Sequence, residues 1–299
     1  MNDFQNRIFR SVAGFIDRSP LCQRLLGRVL MNSTVLPAKI YPYAEDATVW
    51  WTMMTEPRAT ANLEEFAAPP VELWEGYGKT PQQYLESGKH DVARMLEILS
   101  GAGFSIDRTK RILDFGCSAG RMIRWLAPYS NEREIWGVDI AAKPVHWAMQ
   151  HLSPPLYFAT NTTLPPLPFE AGSFDLIYCG SVFTHIAELA EIWLLELRRL
   201  LAPGGYLYAT VHDKNTVRLL REKYADAGIA RSMRAADEET GCLQQDFAKL
   251  VLARSPKGAQ VFYDLEFLRR HWGRLLEFVS VTEEAYGYQT ALVLRKKQG

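Results

Sequence analysis

The stretch that decides the fold is RILDFGCSAGRMIRWL, residues 111–126. It begins with an apolar run of strand length, passes through a turn that contains Gly116 and Gly120, and ends in apolar residues at helical spacing. A strand, a glycine turn and a helix in this order are typical of the first unit of an open α/β sheet, in which ligands bind beyond the carboxyl ends of the strands. An acid, Asp114, stands at the end of this strand.

Further runs of strand length follow along the chain. They are EIWGVDI (134–140), LYFAT (156–160), FDLIYCG (174–180) and GYLYATVH (205–212), with helical patterns between them. Strands that alternate with helices predict a parallel sheet covered on both faces. Two last runs, 277–286 and 288–297, flank Gly287 and predict a β-hairpin, whereas residues 213–262 are charged, mainly helical in pattern and poor in strand signals.

Composition excludes several classes of function. Lysine plus arginine equals aspartate plus glutamate at 34 each, so the chain lacks the positive field of a non-specific nucleic-acid binder, and a small or uncharged substrate is favoured. The cysteines are scattered without metal-site spacing, which predicts no bound metal and reduced thiols. Charged residues interrupt the apolar runs near the N-terminus. We therefore expect no signal peptide, no integral membrane segment and a cytoplasmic location.

Two acids indicate what the glycine turn binds. A carboxylate at Asp114 would repel a pyrophosphate and suits a ligand that carries an ammonium group, and the turn departs from the dinucleotide pattern because Ser118 replaces a glycine. Asp139 lies about 20 residues further on, at the position from which an acid binds the hydroxyls of a ribose. S-adenosyl-L-methionine carries both an ammonium group and a ribose.

On these residues the chain resembles the class I S-adenosylmethionine-dependent methyltransferases, over about residues 110–212. LDFGCSAGR is similar to the first motif of that family, GVDI to the second, LPPLPFEAGSFDLIYCGSVFTHI to the run through the fourth strand and LRRLLAPGGYLYATVH to the fifth. The resemblance implies a Rossmann-like, seven-stranded, mostly parallel sheet with an antiparallel last strand. It also implies an N-terminal helical cap at 1–105 and a methyltransferase domain at 106–299 with an insertion at about 213–262.

The resemblance extends to individual residues. Asn161 stands where the family often has an acid near the adenine amino group, and its carbonyl oxygen accepts the same hydrogen bond. Tyr84, in the stretch YLESG (84–88), is expected at the edge of the site, facing the methionine end of the cofactor. The predicted cofactor-binding residues are Tyr84, Asp114, Gly116, Cys117, Gly120, Asp139, Ile140, Asn161, Thr162, Cys179 and Gly180.

The expected reaction is methyl transfer to a small-molecule or sugar hydroxyl. Histidine is the side chain best matched to take the acceptor proton. His185 follows the fourth strand and His212 ends the fifth, so both are candidate catalytic residues. We prefer His185 as the base, with His212 or Asp213 orienting the substrate. The structural alternative is that His185 packs on the next helix and that His212 anchors the insertion.

Other functions stay open at this point. Within the family, these are methylation of nitrogen or carbon and transfer of a different group, aminopropyl or carboxymethyl, from a related cofactor. The residues YCGSVFTH and VHDKN after the fourth and fifth strands differ from the acids of the magnesium-dependent catechol-type enzymes, so no metal is predicted. Outside the family, a non-catalytic cofactor-binding protein and a nicotinamide-dependent oxidoreductase share the same sheet.

Overall fold

The computed structural model describes residues 67–255 and 258–298, so most of the predicted N-terminal cap lies outside the described residues. The part within it is mainly one helix, α1 (Pro81–Gly101). The helix begins at Pro81 because Thr80 caps it, its hydroxyl accepting a hydrogen bond from the Gln83 backbone N–H at 3.2 Å. Short 3-10 turns at Val71–Leu73 and Ile106–Arg108 flank it.

The remaining elements alternate as the sequence predicts. The strands are β1 (Arg111–Phe115), β2 (Glu134–Asp139), β3 (Tyr157–Thr160), β4 (Phe174–Cys179), β5 (Leu201–Val211), β6 (Lys249–Ser255), β7 (Gly258–Tyr263), β8 (Glu277–Tyr286) and β9 (Gln289–Arg295). The helices are α2 (Ala142–His151), α3 (Ala190–Leu200), α4 (Lys214–Glu222), α5 (Gly228–Thr240) and α6 (Leu265–His271).

Seven strands form the main sheet, in the order β3-β2-β1-β4-β5-β9-β8. Strands β1 to β5 pair in parallel, and β9 lies antiparallel between β5 and β8. The β8–β9 hairpin turns at Gly287, which adopts a positive φ of 56°. The predicted mostly parallel, Rossmann-like sheet with an antiparallel last strand is thus confirmed.

The register brings the candidate residues to one edge of the sheet. Asp114 pairs with Gly137 on β2 and with Tyr178 on β4. The carboxyl ends of β1, β2 and β4 therefore lie side by side. Strands β2 and β3 lie on one side of β1, and β4 and β5 lie on its other side. The strand order therefore reverses between β1 and β4, and in open α/β sheets ligands bind at the carboxyl ends of the strands at such a point.

Apolar side chains bury both faces of the sheet. One core contains Phe183, Trp193 and Trp272, and the other contains Met95 from α1 together with Ile123. This pattern of large buried side chains on both faces is what the near-continuous apolar runs of the parallel strands predict.

Two elements differ from the sequence-based expectation. The helix expected directly after the glycine turn is a 3-10 helix, Ile123–Glu132, that contains Pro128, which has no N–H to donate to the preceding turn. Residues 213–262 contain α4 and α5 as expected, but also a separate antiparallel pair, β6 and β7, that the sequence did not predict. This insertion has a small core of its own, which includes Leu220, Met233 and Phe262.

Within residues 67–255 and 258–298, no helix is long and apolar enough to cross a membrane.

Candidate functional site

The glycine turn after β1 is held in a conformation that needs its glycines. Gly116 and Gly120 have φ values of +92° and +75°. A Cβ on Gly116 would lie 2.4 Å from Val182, and one on Gly120 would lie 2.4 Å from Leu152. The Gly116 N–H donates to the Val138 carbonyl at 2.8 Å, which fixes the turn to the end of β2. Ser118, which replaces a family glycine, adopts a φ of +45°.

Asp139 connects this turn to the end of β2. One of its carboxylate oxygens accepts from the Ser118 N–H and the other from the Ala141 N–H, both at 2.8 Å. Burial raises the pKa of Asp139, and the backbone donors oppose that rise. Since each carboxylate oxygen has a second lone pair, the oriented carboxylate can still accept hydrogen bonds from the two hydroxyls of a ribose.

Asp114 lies at the end of β1 and is almost fully buried. Burial raises the pKa of its carboxyl to about 7, against the opposing influences of the Tyr178 hydroxyl and the Arg121 guanidinium. An ammonium group beside this carboxyl would stabilise its charged form. The residue is therefore suited to bind a cationic amino group.

The end of β3 supplies groups suited to adenine. The Asn161 side-chain N–H donates to the Thr162 carbonyl at 2.9 Å, while its Oδ1 is buried and has no partner within the described part of the chain. This oxygen is an acceptor that an exocyclic amino group can satisfy. At the same sheet edge Ile140 is 41% exposed, which leaves an apolar surface for a flat ring. The Thr162 hydroxyl is engaged with the backbone of Leu164.

Three other predicted cofactor residues have limited access to a ligand through their side chains. The thiols of Cys117 and Cys179 are buried, which raises their pKa values, and the Cys179 sulfur lies 3.5 Å from the Tyr208 carbonyl. Their contribution is restricted to backbone atoms. Tyr84 is also buried, stacks on Trp74 at 5.5 Å between ring centroids, and has its pKa raised to about 12 by burial.

The stretch YLESG nevertheless lies close to the glycine turn. A Cβ on Gly88 of α1 would lie only 2.2 Å from the Arg121 carbonyl oxygen. Gly88 thus permits a close approach between α1 and the residue that follows Gly120. The role predicted for Tyr84, a contact with the methionine end of the cofactor, stays a prediction.

A buried polar cluster that the sequence analysis missed adjoins the turn, and we call Tyr77, Asp91, Arg121 and Tyr286 the Arg121 cluster. The Arg121 guanidinium donates to the Asp91 carboxylate at 2.8 Å and to the Tyr286 hydroxyl, and it lies 3.8 Å from the centre of the Tyr77 ring. The Tyr286 hydroxyl donates to the Tyr77 hydroxyl at 2.9 Å. The position of Arg121 directly after Gly120 is the only local sequence signal for this cluster.

The two candidate histidines lie in different environments. His185 is exposed, and its Nδ1 lies 2.9 Å from the Ala259 carbonyl oxygen. His212 is 1% exposed, packs against Phe262 and Tyr288, and has its pKa lowered to about 3, mainly by burial and further by the nearby His185. Neither ring nitrogen of His212 has a described partner at hydrogen-bonding distance and angle, although the Val261 backbone is close enough to oppose the fall of the pKa. His212 is therefore a neutral hydrogen-bonding group and a weak base.

Asp213 has a structural role. Its carboxylate accepts from the Thr216 N–H at 2.9 Å and caps α4 in a reciprocal capping box. Its second oxygen is buried and, among the described residues, has no partner.

Comparison with known proteins identifies the domain that carries this site. Residues 113–209 match the family model described as a methyltransferase domain. Residues 113–209 therefore belong to a methyltransferase domain, as the resemblance to the class I S-adenosylmethionine-dependent methyltransferases predicts. S-adenosyl-L-methionine is the cofactor of this family, and the oriented Asp139 carboxylate, the Asp114 carboxyl and the unpaired Asn161 oxygen fit its ribose, ammonium and adenine groups.

Individual relatives are distant. The methyltransferase domain is 29% identical over 129 residues to the probable methyltransferase PMT27 of Arabidopsis thaliana, a match that covers 42% of this chain and 14% of that protein. The chain therefore spans about one seventh of that curated relative. A methyltransferase structure from Methanosarcina mazei has 19% identity and a TM-score of 0.44, with 63% of this chain and 93% of that chain covered. One from Clostridium acetobutylicum has 12% identity and a TM-score of 0.47, with 70% and 92% covered.

Proposed function

We propose that this methyltransferase methylates a hydroxyl group of a small molecule and that His185 takes the hydroxyl proton. The observation that carries the proposal is the contact between His185 Nδ1 and the Ala259 carbonyl. A carbonyl oxygen only accepts hydrogen bonds, so Nδ1 carries the proton in this contact. Nε2 is then the unprotonated, basic nitrogen of the ring.

The loop that carries His185 is held by hydrogen bonds within the loop and to β7. The Thr184 hydroxyl donates to the Ser181 carbonyl at 2.8 Å, and the Val261 N–H of β7 donates to the Thr184 carbonyl at 2.8 Å. The ring of His185 is thus oriented by β7 while its basic nitrogen stays available. A positioned base of this kind accelerates reaction of a weakly nucleophilic alcohol by about 10²- to 10⁴-fold.

When bound at this site, S-adenosyl-L-methionine would supply an activated methyl group, and its sulfur would keep the electron pair of the carbon–sulfur bond. His185 accepts the proton of the acceptor hydroxyl at Nε2, and the acceptor oxygen forms the new bond to carbon. The His212 ring is buried between Phe262 and Tyr288 near His185 and stays neutral, so it brings no positive charge to this end of the sheet, which suits an uncharged polar acceptor. Sugars and other small hydroxyl compounds have this character.

The test uses methyl-labelled cofactor, a panel of small hydroxyl compounds, and detection of adenosylhomocysteine and labelled product. We expect His185→Ala to lower turnover at least about 100-fold and to leave the calorimetric affinity for adenosylhomocysteine unchanged. The matched control is His271→Ala, which removes another exposed histidine, in contact with the Phe267 ring at the end of α6. Wild-type turnover in His185→Ala would exclude the base, and label on a nitrogen or carbon of the product would exclude hydroxyl methylation.

A further inference from the structure

The hydrogen bonds of the Arg121 cluster run in one direction, from Arg121 through Tyr286 to Tyr77. A guanidinium group has donors and no acceptor, so the Tyr286 oxygen must accept from Arg121. The Tyr286 proton is then available to Tyr77, whose oxygen accepts it at 2.9 Å. The proton of Tyr77 therefore points to a further acceptor, and none is found for it among residues 67–255 and 258–298.

This unpaired donor lies at the ligand edge of the sheet. Gly116 and Gly180 each stand two residues beyond the paired positions Asp114 and Tyr178, so they are neighbours at the ends of β1 and β4. The Tyr286 ring covers Gly180, with two ring carbons 3.1 Å from the position of an added Cβ. The Arg121 cluster therefore ends beside the glycine turn.

The segment that carries Tyr77 is held in an unusual backbone conformation. In the stretch WEGYG (74–78), Glu75, Gly76 and Gly78 have φ values of +51°, +85° and +78°. A Cβ on Gly78 would lie 2.7 Å from the Tyr84 backbone nitrogen. This close packing on α1, together with the stacking of Tyr77 on Arg121, orients the hydroxyl before any ligand binds.

The charges of the cluster define what the hydroxyl can bind. Arg121 and Asp91 form a nearly buried ion pair, with side chains 6% and 14% exposed, so the guanidinium charge is balanced within the cluster. The group at the ligand edge is the neutral Tyr77 hydroxyl, which the Arg121 guanidinium polarises through the Tyr286 hydroxyl. Such a donor suits an anionic oxygen.

The position of that anionic oxygen follows from Asp114. If Asp114 binds the ammonium of an amino-acid group, the carboxylate on the same carbon lies within a few ångströms of it. Arg121 is close enough to Asp114 for its charge to lower the pKa of that carboxyl. The ammonium site and the Arg121 cluster are therefore neighbours, as the two charged ends of one amino acid require.

We propose that the Tyr77 hydroxyl donates a hydrogen bond to the carboxylate of the cofactor's amino-acid group, with Tyr286, Arg121 and Asp91 as positioning residues. The proposal rests on the cofactor in the proposed function but not on the nature of the acceptor or on His185.

The test is a calorimetric comparison of two ligands. One is S-adenosylhomocysteine, and the other is its decarboxylated analogue, 5′-deoxy-5′-(3-aminopropylthio)adenosine. Tyr77→Phe removes only the hydroxyl and keeps the ring over Arg121. We expect it to weaken binding of adenosylhomocysteine about 10-fold or more and to change binding of the analogue less than about twofold, because only the first ligand has a carboxylate.

Two further variants make the result specific. Tyr286→Phe removes the hydroxyl that joins Arg121 to Tyr77, and a smaller loss with the same preference for the carboxylate is expected. Tyr206→Phe is the matched control, because its hydroxyl lies near the Ala102 carbonyl, at 3.4 Å, away from the glycine turn. It should change neither affinity.

Contrary results separate the alternatives. Equal losses for both ligands in Tyr77→Phe would overturn the proposal, since the hydroxyl would then only shape the site. Unchanged affinity for adenosylhomocysteine with a raised KM for an acceptor would also overturn it and would assign Tyr77 to the acceptor. Failure of the wild-type chain to bind adenosylhomocysteine would reject the proposed function itself, together with this inference.

Discussion

The cofactor half and the acceptor half of the site are built in different ways. In the cofactor half, at the ends of β1 and β2, the turn and Asp139 are joined by hydrogen bonds to nearby backbone groups such as Ser118 N–H and Ala141 N–H. In the acceptor half, at the ends of β4 and β5, His185 depends on Ala259, a residue 74 positions away, and the ring of His212 has no hydrogen-bonding partner among the described residues. The comparison teaches that the turn and the predicted ribose contact of the cofactor half are formed mainly by residues of β1, β2 and the loops that follow them, whereas the proposed acceptor half depends on how the insertion packs.

The largest effect is expected from breaking the turn of the cofactor half. Gly116→Ala places a Cβ 2.4 Å from Val182 at a φ of +92°. Backbone strain costs about 1–2 kcal/mol and overpacking about 1–3 kcal/mol. We therefore expect the free energy of unfolding, measured by denaturant titration, to fall by about 2–5 kcal/mol.

Two matched variants separate the contributions to this loss. Gly241→Ala has a φ of +62° and open space around the added Cβ, so it reports backbone strain alone. The double variant Gly116→Ala, Val182→Ala removes the clash and should recover stability relative to Gly116→Ala after the cost of Val182→Ala is subtracted. A Gly116→Ala protein as stable as the wild type would show that the turn is less constrained than its geometry indicates.

A second variant tests the ribose contact. Asp139→Ala removes the carboxylate that is expected to accept both ribose hydroxyls, and adenosylhomocysteine affinity should fall by about 1–3 kcal/mol, or roughly 10- to 100-fold. Isothermal calorimetry measures the change. Unchanged affinity would refute this assignment. Asp139→Asn keeps the shape and one acceptor oxygen, so its loss should be intermediate.

The smallest effect concerns His212 and the acceptor half. In the unfolded chain His212 is protonated below the ordinary histidine pKa of about 6.5. In the folded chain burial lowers the pKa of His212 to about 3. This residue therefore lowers folding stability as pH falls below about 6.5. Between pH 7.5 and 5.5 the wild type should lose about 1.4 kcal/mol more than His212→Leu, as measured by denaturant titration at each pH. Identical losses would place His212 in a more polar environment.

The same contrast explains what the sequence predicted. The parallel sheet follows from the alternation of apolar runs with helical patterns. Gly116, Asp114 and Asp139 stand at strand ends, where the carboxyl edge of a parallel sheet brings them together. The 3-10 helix at Ile123–Glu132 was not predicted, because its apolar spacing satisfies a helical pattern and only Pro128 opposes an α-helix.

The missed features depend on contacts between distant residues. Tyr77, Asp91 and Tyr286 come from separate parts of the chain, and no local pattern relates them to Arg121. The β6–β7 pair consists of two short apolar runs inside a segment that is otherwise charged and helical in pattern, and such short runs do not by themselves distinguish a strand from a helix. The surroundings of His185 and His212 depend on how the insertion packs on the main sheet. A sequence pattern does not predict such tertiary contacts.

The antiparallel insertion of β9 has a consequence for synthesis on the ribosome. β5 emerges well before β9, and until β9 arrives the edge Tyr206–Val211, rich in apolar residues, has no partner on that side. At ordinary elongation rates this interval lasts on the order of several seconds. An unpaired apolar edge attracts other strands, so the nascent chain is expected to be prone to misassembly during this interval and to benefit from chaperones. The binding site is completed in the same event, because Tyr286 enters with the hairpin that closes the sheet.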